Sequence, residues 1–223
     1  MATVAKIHQD VVEEIVTPDE AEAYNRDGFV LPARGLDPET TRFMVDTVEK
    51  VFIDNPGWPS IIRMPHVPLR EGQNEGVIGG EELFRIAIHP KLIAAARRLI
   101  GPDLIMWGGE IFAKPAGTGK ATPWHQDCYN PAVKAGPGRA HPRSVMIWIA
   151  VDHVDVDNGC LRFVPGSGAT GRIEHIIDEK RDDGILNFEV EKRDVDFSTA
   201  VDAVRAPGQF SCHDVFVVHG ANA

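Results

Sequence analysis

The spacing of apolar residues changes character near residue 103. Before that point it follows a helical period. Phe43, Met44, Val48, Val51 and Phe52 recur three and four apart, which predicts a helix with one buried face. Asp37-Pro38 opens that helix. Upstream, Thr17-Pro18-Asp19-Glu20 reads as a capping box with proline at the first helical position. The helix it starts stops near Gly28. A third helix begins at His89-Pro90, runs through KLIAAARRLIG and closes at Gly101. Between the second and third helices, residues 54–80 form a Pro- and Gly-rich loop, with PGWPS and EGQNEGVIGG. A connection that long suits a binding loop or lid. Residues 1–102 are therefore expected to be mostly helical.

From residue 103 the runs are short, β-branched or aromatic, and punctuated by Gly and Pro. They are LIMWGGEIFAK, SVMIWIAVDHV, GCLRFVPGS, VDAVRAPG and QFSCHDVFVVHG. Such spacing predicts an antiparallel barrel or jelly roll rather than alternating βα units. Residues 172–200 are charged and lack a clean period, so they read as an inserted loop over one barrel end. The fold class is mainly β with helical additions, in a single domain over residues 1–223.

Composition narrows the functions. The chain is 43% hydrophobic and 25% charged, ordinary for a globular protein. No apolar run approaches the ~20 residues that span a membrane. The first residues lack a basic stretch followed by an apolar block, so no secretory signal is expected. A formal net charge of −10 argues against nucleic acid or anionic lipid as the main partner and does not forbid a local basic pocket for an acidic small molecule. Cys128, Cys160 and Cys212 cannot all pair within the chain, so a reducing cytoplasm is the simplest compartment.

The candidate chemistry lies in a His-x-Asp spacing that occurs three times: His8-Gln9-Asp10, His125-Gln126-Asp127 and His153-Val154-Asp155. The first sits near the terminus, where nothing fixes the pair. The last falls in DHVDVDNG, a turn-rich acidic stretch that reads as solvated, with hard oxygen donors for calcium as its other reading. The middle triplet has flanks suited to a short strand. There His125 and Asp127 would project to one face and Gln126 to the other. In QFSCHDVFVVHGANA, His213 and His219 are an even number of residues apart, and either is spaced to supply a third ligand. Two imidazoles and one carboxylate with open positions form the facial set of non-haem Fe(II) oxygenases. A buried His–Asp hydrogen bond without metal is the other reading of the same spacing.

Several stretches, in order, resemble the phytanoyl-CoA dioxygenase family of Fe(II)/2-oxoglutarate-dependent oxygenases. They are AYNRDGFVLP, KPAGTGKATPWHQD, VMIWIAVDHVDVDNGCLRFVPGS and APGQFSCHDVFVVHGANA, covering residues 17–223 with a variable middle. The resemblance implies a double-stranded β-helix, a cupin-like jelly roll with N-terminal helices packed on one sheet. It implies His125, Asp127 and His219 as the catalytic metal ligands, because HGAN follows His219, with His213 lining the pocket. It places Trp148 near 2-oxoglutarate. Glu110, Phe112, Gln126, Arg162 and His213 are the candidate substrate contacts. Two departures stand out. Gly168 follows PGS where the family usually has His. The family's 2-oxoglutarate-binding Arg, about ten residues past the distal His, would lie beyond Ala223, so the chain is expected to continue into a last barrel strand that carries it.

The implied function is a dioxygenase using Fe(II), 2-oxoglutarate and O₂ to hydroxylate an unactivated C–H bond of a small molecule, with release of succinate and CO₂. Asp127 fills the position that related halogenases open for chloride, which favours hydroxylation over halogenation. Desaturation or epoxidation would use the same ligands. Two other readings keep the barrel: a Zn²⁺- or Mn²⁺-dependent hydrolase or isomerase, and a binding module without catalysis.

Overall fold

The computed structural model describes residues 15–58, 61–69, 76–129, 144–180, 184–191, 193 and 195–223. The triplet at residues 8–10 lies outside them. The N-terminal helices start where their caps predict. In α1 (Pro18–Asp27), Thr17 accepts from the Glu20 N–H at 3.2 Å and the Glu20 carboxylate accepts from the Thr17 N–H at 2.7 Å. Gly28 ends α1 in the left-handed conformation, φ 85°, and a Cβ there would meet the Val217 Cβ at 3.0 Å. Its carbonyl accepts from the Asp214 N–H at 2.8 Å. The end of α1 is thereby pinned to the turn just before His219.

Asp37 caps α2 (Pro38–Asp54) by accepting from the Thr40 N–H at 2.9 Å. That bond holds its carboxyl down at about 2. α4 (Pro90–Ile100) ends at Gly101 as expected. A further helix, α3 (Gly80–Ala87), precedes it. The loop expected over 54–80 contains a strand, β2 (Ile61–Arg63), paired with β3 (Glu110–Phe112). Three residues are too short a run to show a period. Ile62 is nevertheless fully buried against the helices.

Two antiparallel sheets form the jelly roll. One has β1 (Phe29–Val30), β10 (Phe210–His213) and β5 (Met146–Ile149), in the order β1-β10-β5. The other has β4 (Thr122–His125), β11 (His219–Ala221), β6 (Leu161–Phe163) and β9 (Val201–Asp202), in the order β4-β11-β6-β9. The first sheet separates two apolar layers. Val30, Phe210, Cys212, Ile147 and Ile149 face the helices and pack with Met44, Val48, Val51, Leu92 and Leu99. By strand alternation the other face carries Phe29, Ser211, His213, Met146 and Trp148. Phe29 stacks on Phe163 of the second sheet at 4.7 Å between centroids. With Val217 and Ala203 they form the small core between the sheets.

Residues 172–200, expected as a loop, contain a hairpin. Here β7 (His175–Ile177) pairs with β8 (Phe188–Val190). Its pattern is obscured because Ile176 and Ile177 are both exposed while His175 is buried. LIMWGGEIFAK is regular strand only at its β3 residues, and Ile105 and Trp107 are 93% and 64% exposed. Among the described residues no helix is long and apolar enough to cross a membrane.

Candidate metal centre

His125 closes β4 and His219 opens β11, and the register sets them directly opposite each other. Opposed residues share a face, and their rings stand 4.2 Å apart between centroids. Asp127 is not on the strand. β4 ends at His125, and Asp127 begins a 3-10 turn, Asp127–Tyr129. The expectation of one strand carrying both residues is corrected here. The turn still delivers the carboxylate to the imidazoles. The three candidate ligand atoms lie within 4.8 Å of one another. Asp127 Oδ1 is 3.6 Å from His125 Nε2 and 3.8 Å from His219 Nε2.

Backbone carbonyls fix both tautomers. His125 Nδ1 is 2.8 Å from the Pro123 carbonyl, and His219 Nδ1 is 3.1 Å from the Val217 carbonyl. A carbonyl only accepts, so each Nδ1 carries the proton and each Nε2 turns a free lone pair to the centre. Burial pushes His219 well below its ordinary value, and His125 adds to this against the opposing pull of Asp127. Burial alone would raise the Asp127 carboxyl. Attraction to His219 and contacts from His125 and His213 outweigh it and hold the group well below the usual carboxylate range. The site thus presents a buried neutral imidazole donor beside a half-buried ionised carboxylate.

His213 does not share a strand with His219 as the sequence suggested. It ends β10, and residues 214–218 carry the chain across to the second sheet. Its Nε2 lies 3.2 Å from Asp127 Oδ2, the oxygen that faces away from the other two imidazoles' contacts. It donates there and orients the carboxylate. His213 Nδ1 is buried and meets no hydrogen-bond partner among the described residues.

Gln126, expected among the substrate contacts, is fully buried and committed to backbone. Its amide nitrogen donates to the carbonyls of Gly171 at 2.9 Å and Phe216 at 2.6 Å, and its oxygen accepts from the Ile173 N–H at 2.7 Å. The Gln126 N–H donates to His175 Nε2 at 3.1 Å, and His175 Nδ1 bonds the Ile173 carbonyl at 2.8 Å. Gln126 holds the turn that aims Asp127. Arg162 also departs from expectation. Phe163 pairs with His219, so Arg162 faces the opposite side of the sheet. There it bonds Asp202 at 2.6 Å and lies over the Trp124 ring. Trp148, opposite Ser211, is on the inner face with His213. Glu110 and Phe112 share the exposed face of β3. Burial pushes the Glu110 carboxyl up, Arg63 pulls it down and the Asp127 carboxylate pushes it up again. His153 and Asp155 stay exposed in their turn.

His175, Phe188 and Arg63 fall in the stretches 172–200 and 63–80 that the sequence places as loops over the pocket, but no motif singles them out. His175 and Phe188 belong to the hairpin without a readable period, and the Phe188 ring stands edge-on to His125 at 6.0 Å. Arg63 belongs to the short strand β2.

Two imidazole nitrogens, one carboxylate and an orienting hydrogen bond suit a divalent first-row ion with open positions. The sequence profile described as phytanoyl-CoA dioxygenase (PhyH) matches residues 24–223. Mouse peroxisomal phytanoyl-CoA dioxygenase is 27% identical over 167 residues, covering 69% of this chain and 48% of that protein. The L-proline trans-4-hydroxylase of Streptomyces griseoviridis is 31% identical over 158 residues, covering 68% and 55%. The chain thus spans about half the length of these relatives. Among solved structures, EctD from S. alaskensis with 2-oxoglutarate and 5-hydroxyectoine superposes with a TM-score of 0.70 at 16% identity, covering 96% of this chain and 72% of that one, which speaks to the shared jelly roll alone. With the profile match running through both sheets and all three candidate ligands, the chain belongs to the phytanoyl-CoA dioxygenase family.

Proposed function

We propose that the protein is an Fe(II)- and 2-oxoglutarate-dependent dioxygenase that hydroxylates an unactivated C–H bond of a small molecule. The balance is R–H + 2-oxoglutarate + O₂ → R–OH + succinate + CO₂. The observation that carries this reading is the convergence of His125, Asp127 and His219 within 4.8 Å. Those three residues would hold the metal. When bound, iron with its cosubstrate supplies the oxidising power for C–H cleavage.

The chain's own residues bind, orient and exclude water. His125 and His219 offer lone pairs fixed by their Nδ1–H bonds. Asp127 supplies one negative charge and, by filling its position, favours hydroxylation over halogenation. His213 is a positioning residue for that carboxylate, and its free Nδ1 faces the interior beside Ser211, whose hydroxyl is likewise buried without a partner among the described residues. Trp148, opposite Ser211, is the residue we assign to 2-oxoglutarate contact. Phe29, Phe163 and Val217 close the space behind the triad and keep it dry. The small-molecule substrate reading accords with the net charge of −10, which disfavours nucleic acid. Three buried, unpaired cysteines support a cytoplasmic setting.

The test is succinate formation from 2-oxoglutarate. It is expected only when Fe²⁺, O₂ and 2-oxoglutarate are all present, and to vanish in Asp127→Ala. Turnover of an ester or sugar supported by Zn²⁺ without O₂ would replace this reading with the Lewis-acid one.

A further inference from the structure

Among the described residues β4 is the outer strand of its sheet, in the order β4-β11-β6-β9. Its last residue is His125, and Asp127 follows in the turn. Two of the three candidate ligands thus sit where a strand end meets a sheet edge, a place where a β-sheet opens easily. Metal donors must be held to within about 0.5 Å of their working geometry, so this corner has to be secured.

The hairpin of β7 and β8 lies along it. At the start of β4, the Ile185 N–H donates to the Ala121 carbonyl at 2.9 Å. At the other end, the Gln126 N–H donates to His175 Nε2 at 3.1 Å. That N–H belongs to the peptide unit that leaves His125 toward Asp127. Val190 of β8 is fully buried with Val164 and Val218. These two precede or follow inward-facing residues, so they anchor the hairpin on the sheet face turned from the triad.

His175, 4% exposed, carries the same lock as the two imidazole ligands. His125, His175 and His219 each set Nδ1 against the carbonyl two residues earlier, at 2.8, 2.8 and 3.1 Å. Each Nε2 is then an acceptor. His125 and His219 turn theirs to the centre. His175 commits its own to the Gln126 N–H, so it holds the ligand strand and is not itself a fourth ligand. Phe188 is half-buried between two of these rings. Its centroid lies 6.0 Å from His125 at 73° and 5.9 Å from His175 at 61°. Such edge-on contacts favour one orientation of the ring they touch.

We propose that the β7–β8 hairpin braces the metal centre. His175 and Phe188 are positioning residues: His175 fixes the peptide between His125 and Asp127, and Phe188 fixes the plane of the His125 ring. Together they set the separation of the two donors before a metal arrives. The brace rests on the reading of His125, Asp127 and His219 as metal ligands, and on nothing about the substrate.

The experiment titrates the metal-free full chain and its variants with Co²⁺, reading affinity and the visible bands, whose position and intensity report the donor geometry. His175→Leu removes the acceptor and is expected to bind Co²⁺ about 10–100-fold more weakly, with altered bands. His175→Gln offers Oε1 to the same N–H and should stay within about threefold of the parent, with parental bands. His175→Asn is too short to reach it and should resemble His175→Leu, which keeps the comparison decisive should the leucine variant fold poorly. Phe188→Ala leaves the hydrogen bond in place and should alter the bands with a smaller loss of affinity. A hairpin that merely stabilises the fold would lower the urea midpoint of the metal-free variants and leave the affinity and bands of their folded fraction unchanged, which overturns the proposal. So does a His175→Gln protein as impaired as His175→Asn. Absence of Co²⁺ binding by the parent removes the metal centre and the brace together, whereas parental binding in every variant removes the brace alone.

Discussion

Replacing Gln126 with leucine probes how the site is aimed. The side chain ties three backbone segments together, at Gly171, Ile173 and Phe216, and also takes a weak contact from the Cys128 thiol at 3.7 Å. Leucine has similar bulk but no polar atom. It removes bonds to two carbonyls and one N–H, of which the Phe216 contact is buried and the Gly171 and Ile173 contacts are part-buried. Each lost bond costs about 1–3 kcal/mol where water is excluded and less where it reaches the group, so the expected total is about 2–4 kcal/mol, a large share of the ~5–15 kcal/mol that holds a domain together. The loss is read as a fall in the urea midpoint at unchanged slope. Because Gly171 and Phe216 flank the approaches to His175 and His219, metal affinity should fall in the surviving folded fraction as well. Gln126→Glu refines the test. It keeps the acceptor for the Ile173 N–H and loses both donors, so its cost should shrink as pH falls and its carboxyl takes up a proton. A Gln126→Leu protein within 1 kcal/mol of the parent, with metal affinity unchanged, would refute the account of how Asp127 is positioned.

Other outcomes follow from single contacts. Burial holds His175 below its ordinary value, and its Nε2 must stay unprotonated to accept from Gln126. The unfolded chain takes up that proton first as pH falls through about 6.5, so His175 makes the metal-free protein lose up to ~1.4 kcal/mol per pH unit below that point until the folded-state value is reached. Urea titrations from pH 7.5 to 5 should show this slope, and His175→Gln should make it shallower by that amount, leaving the like contribution of His219. Arg162→Ala removes a half-exposed ion pair with Asp202, on the sheet face turned from the triad. It should cost about 1 kcal/mol or less and leave KM for any substrate unchanged. A KM raised tenfold would return Arg162 to the pocket.

The helix starts were legible because caps are local. Thr17-Pro18-Asp19-Glu20 and Asp37-Pro38 satisfy their own first-turn N–H groups, and no distant residue is needed to read them. His125 and His219 were legible as candidates from WHQD and HGAN, and the facing strands bring them together. What remained hidden depends on partners far along the chain. β2 is a strand only because β3 pairs with it some fifty residues on. The fate of Gln126 is decided by carbonyls at 171 and 216. Spacing suggested that an alternating strand carries His125 and Asp127, but the chain turns at that point. The carboxylate arrives because a 3-10 turn reaches the same place. Arg162 was placed wrongly for a related reason: the face a strand residue occupies follows from the register with β11, which no single segment reveals.

The central claim is that His125, Asp127 and His219 hold one divalent ion while His213 only orients Asp127. Titration of the purified metal-free protein with Co²⁺, followed by its visible absorption, tests this directly. The account predicts one ion per chain in the parent, no binding in His125→Ala, Asp127→Ala or His219→Ala, and binding retained about 10–100-fold more weakly in His213→Ala. Full occupancy in His219→Ala together with its loss in His213→Ala would contradict it.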